Sequence, residues 1–196
     1  MTYEQWLRGL AVIAIVPGSA PLYFFVFWRW FDFWRRHRIL TYTFMLGTFW
    51  GTGVLAYLYR DVVLAPRVAM PIWVQAIGWA LVGSASLLGT VADRQLGLRL
   101  RAFTPLFEPQ GRIELRTTGA YAIVRHPIYA AGIWFQLGAF LVAGHLAVLA
   151  AGLLLAAGAP WFTRQEERRL VALLADPTEY DRYRARVPAL YPWPRG

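Results

Sequence analysis

The chain contains no cysteine, which removes disulfides, thiolate metal sites and cysteine nucleophiles from consideration. It has no lysine either, so all 20 basic residues are arginine. Acidic residues number only 11, leaving a formal net charge of +9. Charged residues make up 16% of the chain, against about 25% in a typical soluble domain. There are no internal repeats and no low-complexity segments. No A-x-A site follows the first apolar run, and that run is too long for a signal-peptide core, so no cleaved signal is expected. Gly51-Thr52-Gly53 is not preceded by a strand and lacks the rest of a G-x-G-x-x-G fingerprint, so it reads as helix packing rather than a phosphate loop.

What is present is apolar and aromatic. Hydrophobic residues reach 58%, with 10 Trp, 10 Tyr and 12 Phe, and the mean hydropathy is +0.39. Trp and Tyr in such numbers suit membrane interfaces. At 196 residues the chain is long enough for one domain. The arginines gather in the short segments between apolar runs. That pattern fits anchoring to an anionic membrane leaflet and argues against nucleic acid as a partner.

Uncharged runs of about 17–25 residues are candidate transmembrane helices. Residues 9–28 form the first, with Pro17 and Pro21 predicting a kink. Residues 39–59 form the second, in which Gly47, Gly51 and Gly53 suit close helix packing. Residues 68–92 form the third. Residues 127–163 are too many for one span and are broken at Gly144-His145, so they read as two short helices in a tight hairpin. The expectation is an all-α integral membrane protein with five transmembrane helices and a cytoplasmic helical C-terminal tail. Residues 1–92 supply three spans, and 93–196 the polar segment, hairpin and tail, in a single membrane domain.

Orientation follows from the arginines. Arg29, Arg35, Arg36 and Arg38 follow the first span; Arg94, Arg99, Arg101, Arg112, Arg116 and Arg125 follow the third; Arg164, Arg168 and Arg169 follow the fifth. The other side carries only Arg8, Arg60 and Arg67, with Glu4 and Asp61. The N-terminus is therefore expected outside and the C-terminus in the cytoplasm of a multi-pass cell-membrane protein. Because a hairpin returns its ends to one place, Arg125-His126 and Arg164-Gln165-Glu166-Glu167 are expected to meet at the cytoplasmic face. The tail reads as two short helices. Glu166, Leu170, Leu173 and Leu174 share one face of the first. Pro177 suits the first turn of the second.

Taken singly, each polar motif has a plain reading. Arg125-His126-Pro127 is an interfacial anchor followed by a helix-starting proline. Glu166-Glu167-Arg168-Arg169 is a solvated helix start. His145 is a turn residue on the outer face, His37 belongs to a basic loop, and the aromatics face lipid or form a belt. The combination carries more. Gly119-Ala120-Tyr121, Arg125-His126-Pro127-Ile128-Tyr129, a short hairpin, Glu166-Glu167, Tyr180, Tyr183 and Arg186-Val187-Pro188 follow in that order. Over about residues 100–192 this arrangement resembles the isoprenylcysteine carboxyl methyltransferase and phospholipid methyltransferase families of membrane enzymes.

That resemblance implies S-adenosylmethionine as cofactor, bound at the cytoplasmic face between hairpin and tail. It implies a pocket formed by Ile113, Glu114, Leu115, Arg116, Tyr121, Arg125, His126, Pro127, Ile128 and Glu166. Ile113 stands where the family often has His, so a contact there would run through the backbone. Arg164 is the nearest match to an arginine that contacts substrate, and Glu167 joins it as a candidate catalytic residue. The chemistry suits these types. An arginine such as Arg125 can clamp a carboxylate, Glu166 can take an ammonium or a ribose hydroxyl, and Tyr121 can face a sulfonium. A carboxylate or thiolate acceptor needs no base, whereas an amine does, for which Glu167 or His126 is available. The implied acceptor is lipophilic or a small amphiphile, membrane lipid being the surrounding partner. Two other readings stay open: an NADPH-dependent enzyme like the membrane sterol reductases, which share a similar Arg-His-Pro hairpin, and a non-enzymatic membrane protein.

Overall fold

The computed structural model describes residues 2–101 and 115–191. They form helices α1 (Tyr3–Ile15), α2 (Ala20–Arg29), α3 (Phe31–Arg36), α4 (Arg38–Leu58), α5 (Arg60–Val63), α6 (Ile72–Arg101), α7 (Ala120–Ile123), α8 (Pro127–Ala143), α9 (Leu146–Val171) and α10 (Pro177–Arg186). No strand occurs among the described residues. By length and composition four segments can cross a membrane: Tyr3–Arg29, Arg38–Leu58, Ile72–Gly97 and Leu146–Val171. The shorter apolar helix Pro127–Ala143 joins them. The protein is thus an all-α, multi-pass membrane protein, and its apolar helices are the five that the hydropathy pattern predicts.

The first of these is broken where the prolines predict it. Thr2 and Gln5 form a capping box that starts α1. Pro17 has no N–H to donate, and the chain tightens into a 3₁₀ turn over Val16–Ser19 before α2 resumes. The hairpin turn is also specific. Gly144 adopts φ 73°, the left-handed conformation that ends α8. A Cβ there would lie 2.1 Å from the Val68 carbonyl oxygen. Around it Arg67 Nε donates to the Ala143 carbonyl (2.9 Å), and the His145 ring bonds the Leu64 carbonyl through Nδ1 (2.7 Å). His145 is therefore a turn residue, and it is buried there. The same end of the molecule is closed by the ion pairs Arg8–Asp61 and Arg67–Glu4.

Two elements run further than the sequence pattern indicates. Helix α6 continues past residue 92, with a break in helical geometry at Gly97 (φ 74°, ψ 161°). The first tail helix is not separate: α9 carries the fifth span and Glu166-Glu167 without interruption. The aromatics also divide. Trp50, Trp73 and Tyr57 stay exposed, as lipid-facing residues do. Tyr23, Phe24, Phe27, Trp28, Phe31 and Trp34 instead pack with Phe162, Leu155 and Ile133 in a buried cluster, because α2 packs against α9 and α4, and α3 against α4.

Helix α8 is the central strut, in contact with α1, α6 and α9. Its contact with α6 depends on a glycine pair. A Cβ on Gly138 would lie 2.8 Å from the Gly78 carbonyl oxygen and 2.9 Å from the Val82 nitrogen. Gly138→Leu is expected to force the helices apart and destabilise the protein by roughly 1–3 kcal/mol. Gly83→Leu, with nothing within 4 Å of the new Cβ, is expected not to lower stability and to raise it by up to about 1 kcal/mol, a helix-interior glycine giving way to a good helix former. Thermal unfolding in detergent distinguishes the two, and equal midpoints would contradict this packing.

Candidate functional site

The site forms where the start of α8 meets the end of α9. Two local features aim the chain into it. Gly119 (φ 61°, ψ −126°) turns the backbone, and Gln95 Oε1 of α6 accepts the Ala120 N–H at 3.0 Å, anchoring the start of α7. A Cβ on Gly119 would lie 1.8 Å from Gln95 Nε2 and would push aside the amide that holds Ala120, and the positive φ itself favours glycine. Val124 is then extended. The next two residues pair with the tail: Arg125 N–H donates to the Pro188 carbonyl (2.8 Å) and His126 N–H to the Ala189 carbonyl (3.0 Å).

The side chains tie the same pieces together. Arg125 donates to Glu167 Oε1 from Nε (3.0 Å), with Nη2 at 2.9 Å from that oxygen. Its Nη1 reaches the Val187 carbonyl (2.5 Å) and the Arg184 carbonyl (3.4 Å). His126 Nε2 lies 2.9 Å from the same Glu167 oxygen. All three side chains are buried. A buried ion pair is tolerated only where further hydrogen bonds complete it, and these do. Tyr183 Oη donates to the Tyr121 carbonyl at 2.6 Å and fastens α10 over α7. Glu166, one residue earlier on α9, points elsewhere. It is partly exposed, accepts Tyr129 Oη at 3.0 Å and lies 3.9 Å from His126 Nδ1.

Beside Glu166 opens a cavity of about 430 Å³. Asp93, Leu115, Arg116, Tyr121, Arg125, His126, Glu166, Tyr180 and Tyr183 line one part of it. The other part is apolar and is lined by Pro17, Ala20, Tyr23, Phe24, Met45, Phe49, Ile128, Gly132 and Leu155. Burial pushes the phenols of Tyr121 and Tyr180 up, and Tyr183 up to about 12. At neutral pH these phenols are hydrogen-bond donors, not bases. Among the described residues no group of three or more His, Asp or Glu is placed to hold a metal ion.

The structure therefore brings the two sequence clusters together. Leu115, Arg116, Tyr121, Arg125, His126, Pro127, Ile128 and Glu166 all line the cavity. Ile113 and Glu114 lie outside the described residues. Glu167 stands behind the cavity wall, bound to Arg125 and His126. Arg164 is exposed on α9 and does not line the cavity. The motifs alone do not assign site roles to Asp93, Tyr129, Tyr180 and Tyr183, nor to the first two spans. A signal for Tyr129 was present: it lies one helical turn after His126, so both face the same way. For Ala20, Phe24 and Phe49 no signal exists in the sequence, because a cavity-lining apolar residue and a lipid-facing one look alike.

A family model described as phospholipid methyltransferase matches residues 73–175, more than half of the chain. That range holds the Arg-His-Pro turn, the hairpin and both glutamates. No curated protein and no solved structure matches the chain.

The two neighbouring glutamates are expected to behave differently. Glu167→Gln leaves the buried Arg125 guanidinium without its counter-charge and is expected to destabilise the protein by about 3–5 kcal/mol. Glu166→Gln keeps an acceptor for Tyr129 and is expected to change stability by less than about 1 kcal/mol. Thermal unfolding of the two variants in detergent tests this, and equal small effects would mean that neither carboxylate is built into the fold.

Proposed function

The chain belongs to the phospholipid methyltransferase family, and from that premise we propose that it transfers a methyl group from S-adenosylmethionine to a lipophilic or small amphiphilic acceptor. The observation that carries the reading is the cavity itself, in which charged groups at the membrane surface open directly into an apolar arm. A water-soluble cofactor and a membrane-dissolved acceptor need such a junction to meet.

The donor set fits the cofactor. Arg116 supplies a cation for its carboxylate. Glu166 and Asp93 supply carboxylates for the ammonium and the ribose hydroxyls. Tyr121 offers a ring face to adenine or to the sulfonium. Arg125 has Nε, Nη1 and Nη2 engaged within the protein, so its part is to hold the Arg-His-Pro turn in shape. S-adenosylmethionine supplies an already activated methyl group. The protein's task is then to align donor and acceptor and to exclude water. The tail helix α10, with Tyr180 and Tyr183 on the cavity, closes the aqueous side. His126 is fixed by Glu167 through Nε2 and presents Nδ1 toward Glu166. For an acceptor that must lose a proton, these two are the groups within reach. The arginine distribution supports placing this end in the cytoplasm, with the N-terminus and the Gly144 turn outside.

Calorimetry of the detergent-solubilised protein with S-adenosylhomocysteine, and with NADPH in parallel, tests the reading. Saturable binding of S-adenosylhomocysteine alone is expected, weakened at least about tenfold in Glu166→Gln, the loss of one charge-assisted hydrogen bond. Binding of NADPH alone would replace this reading with a reductase. Binding of neither by folded protein would remove the enzymatic reading. The orientation has its own check. A membrane-impermeant reagent is expected to label a cysteine placed at Ala65, exposed in the loop beside the Gly144 turn, in intact cells, and one at Gly196 only after lysis. The reverse pattern would place the cavity mouth on the outside.

A further inference from the structure

The apolar arm of the cavity ends at a defined depth. Leu155 lies eleven residues before Glu166 on α9, and Phe49 eleven residues after Arg38 on α4. At about 1.5 Å per residue both lie about 16 Å below the polar end. Half of the hydrocarbon core is about 15 Å, the depth that one lipid chain fills in one leaflet. The end wall there is the proline break of the first span, with Pro17 itself on the cavity.

That break is braced. Helix α1 cannot continue through Pro17, and the Ala14 carbonyl instead accepts Gln136 Nε2 at 2.8 Å. Gln136 is fully buried in the middle of α8, a helix otherwise made of apolar residues. A primary amide there is costly, and only its Nε2 is bonded while its Oε1 has no partner. The turn is also wedged onto α9. A Cβ on Gly18 would lie 2.6 Å from Ala151 Cβ, and one on Gly158 2.7 Å from Pro21 Cβ. The floor of the arm is thus fixed from two sides. The cavity, at about 430 Å³, is near the small end of the roughly 300–1,000 Å³ that holds one drug-sized ligand.

We propose that the braced break at Pro17 is a length stop. A lipid enters the protein by a single chain no longer than one leaflet, and Gln136 is the positioning residue that fixes where the chain must end. The inference rests on the methyltransferase reading only for the use made of that lipid, namely as methyl acceptor.

The test uses the full-length protein in nanodiscs and neutral single-chain alkyl maltosides, octyl to eicosyl, each with a photoreactive diazirine on its last carbon. Labelled peptides are then mapped by mass spectrometry. Labelling of the Pro17–Phe24 and Phe49 peptides is expected to peak at a chain of about one leaflet and to fall at least threefold for longer ones. Met45→Trp and Ala20→Phe, on different helices, are each expected to lower the peak at least fivefold. Gln136→Leu is expected to raise labelling by the longer chains at least threefold, removing the length limit. A purely structural role for Gln136 would lower labelling at every length alike and would overturn the assignment of the stop to it. Wild-type labelling spread over the lipid-facing Trp50, Val54 and Leu153, with no dependence on length, would overturn the whole proposal. Binding of S-adenosylhomocysteine is measured separately. Its absence alongside length-limited labelling would remove the methyltransferase reading and leave the chain pocket standing.

Discussion

The site depends on one buried carboxylate. Glu167 receives Arg125 through two nitrogens and His126 through a third, and the Arg125 guanidinium passes the connection on to the carbonyls of the tail. Through it the start of α8, the end of α9 and the residues after α10 become one piece. An arginine and a glutamate at a membrane surface would normally gain little from pairing, since water competes for both. Here they are enclosed by Tyr180, Tyr183 and Val187, and removing either partner leaves a charge with nowhere to go. That asymmetry holds the pocket wall in one geometry. It also frees Glu166, on the next position of the same helix, to face the cavity rather than the protein.

The bilayer imposes the second constraint. Helices in lipid gain no hydrophobic energy from touching each other, so they associate by close packing and by occasional polar contacts. The contacts Gly78–Gly138, Gly18–Ala151 and Gly158–Pro21 are of the first kind, and Gln136–Ala14 is of the second. All four involve the hairpin α8–α9. The hairpin therefore acts as the frame on which the first span and α6 are hung, and its ends away from the Gly144 turn carry the polar groups of the site. By contrast, only 11% of the most apolar stretch of α4 is buried, which makes α4 the wall most open to lipid.

Much of this was legible in the sequence. The apolar runs, the proline kink and the hairpin at Gly144-His145 follow from charge spacing and from residues whose backbone limits are strict. The meeting of Arg125-His126 with Glu166-Glu167 follows from hairpin topology alone. Which glutamate does what does not follow. Adjacent helical residues point about 100° apart, and only the direction of the tail decides which one is enclosed. Arg164 was a reasonable candidate by its nearness in sequence to the glutamates, but its side of α9 faces outward. The aromatic cluster of α2 and α3 was invisible for a similar reason. Composition reports that an aromatic belongs near lipid but does not report which face of α2 packs against α9. Gln136 was overlooked because a single amide in an apolar run carries no pattern.

Helix α9 runs unbroken from the hairpin turn to beyond both glutamates. The distance from the Gly144 turn to the site is therefore set by a residue count and not by the bilayer. Where the surrounding membrane is thinner or thicker than that fixed span, the lipid must deform to meet the protein, at a cost that grows with each ångström of mismatch. A rigid rod of this kind makes membrane thickness itself a selective condition, favouring the enzyme's residence in bilayers whose leaflets match the depth at which its cavity ends.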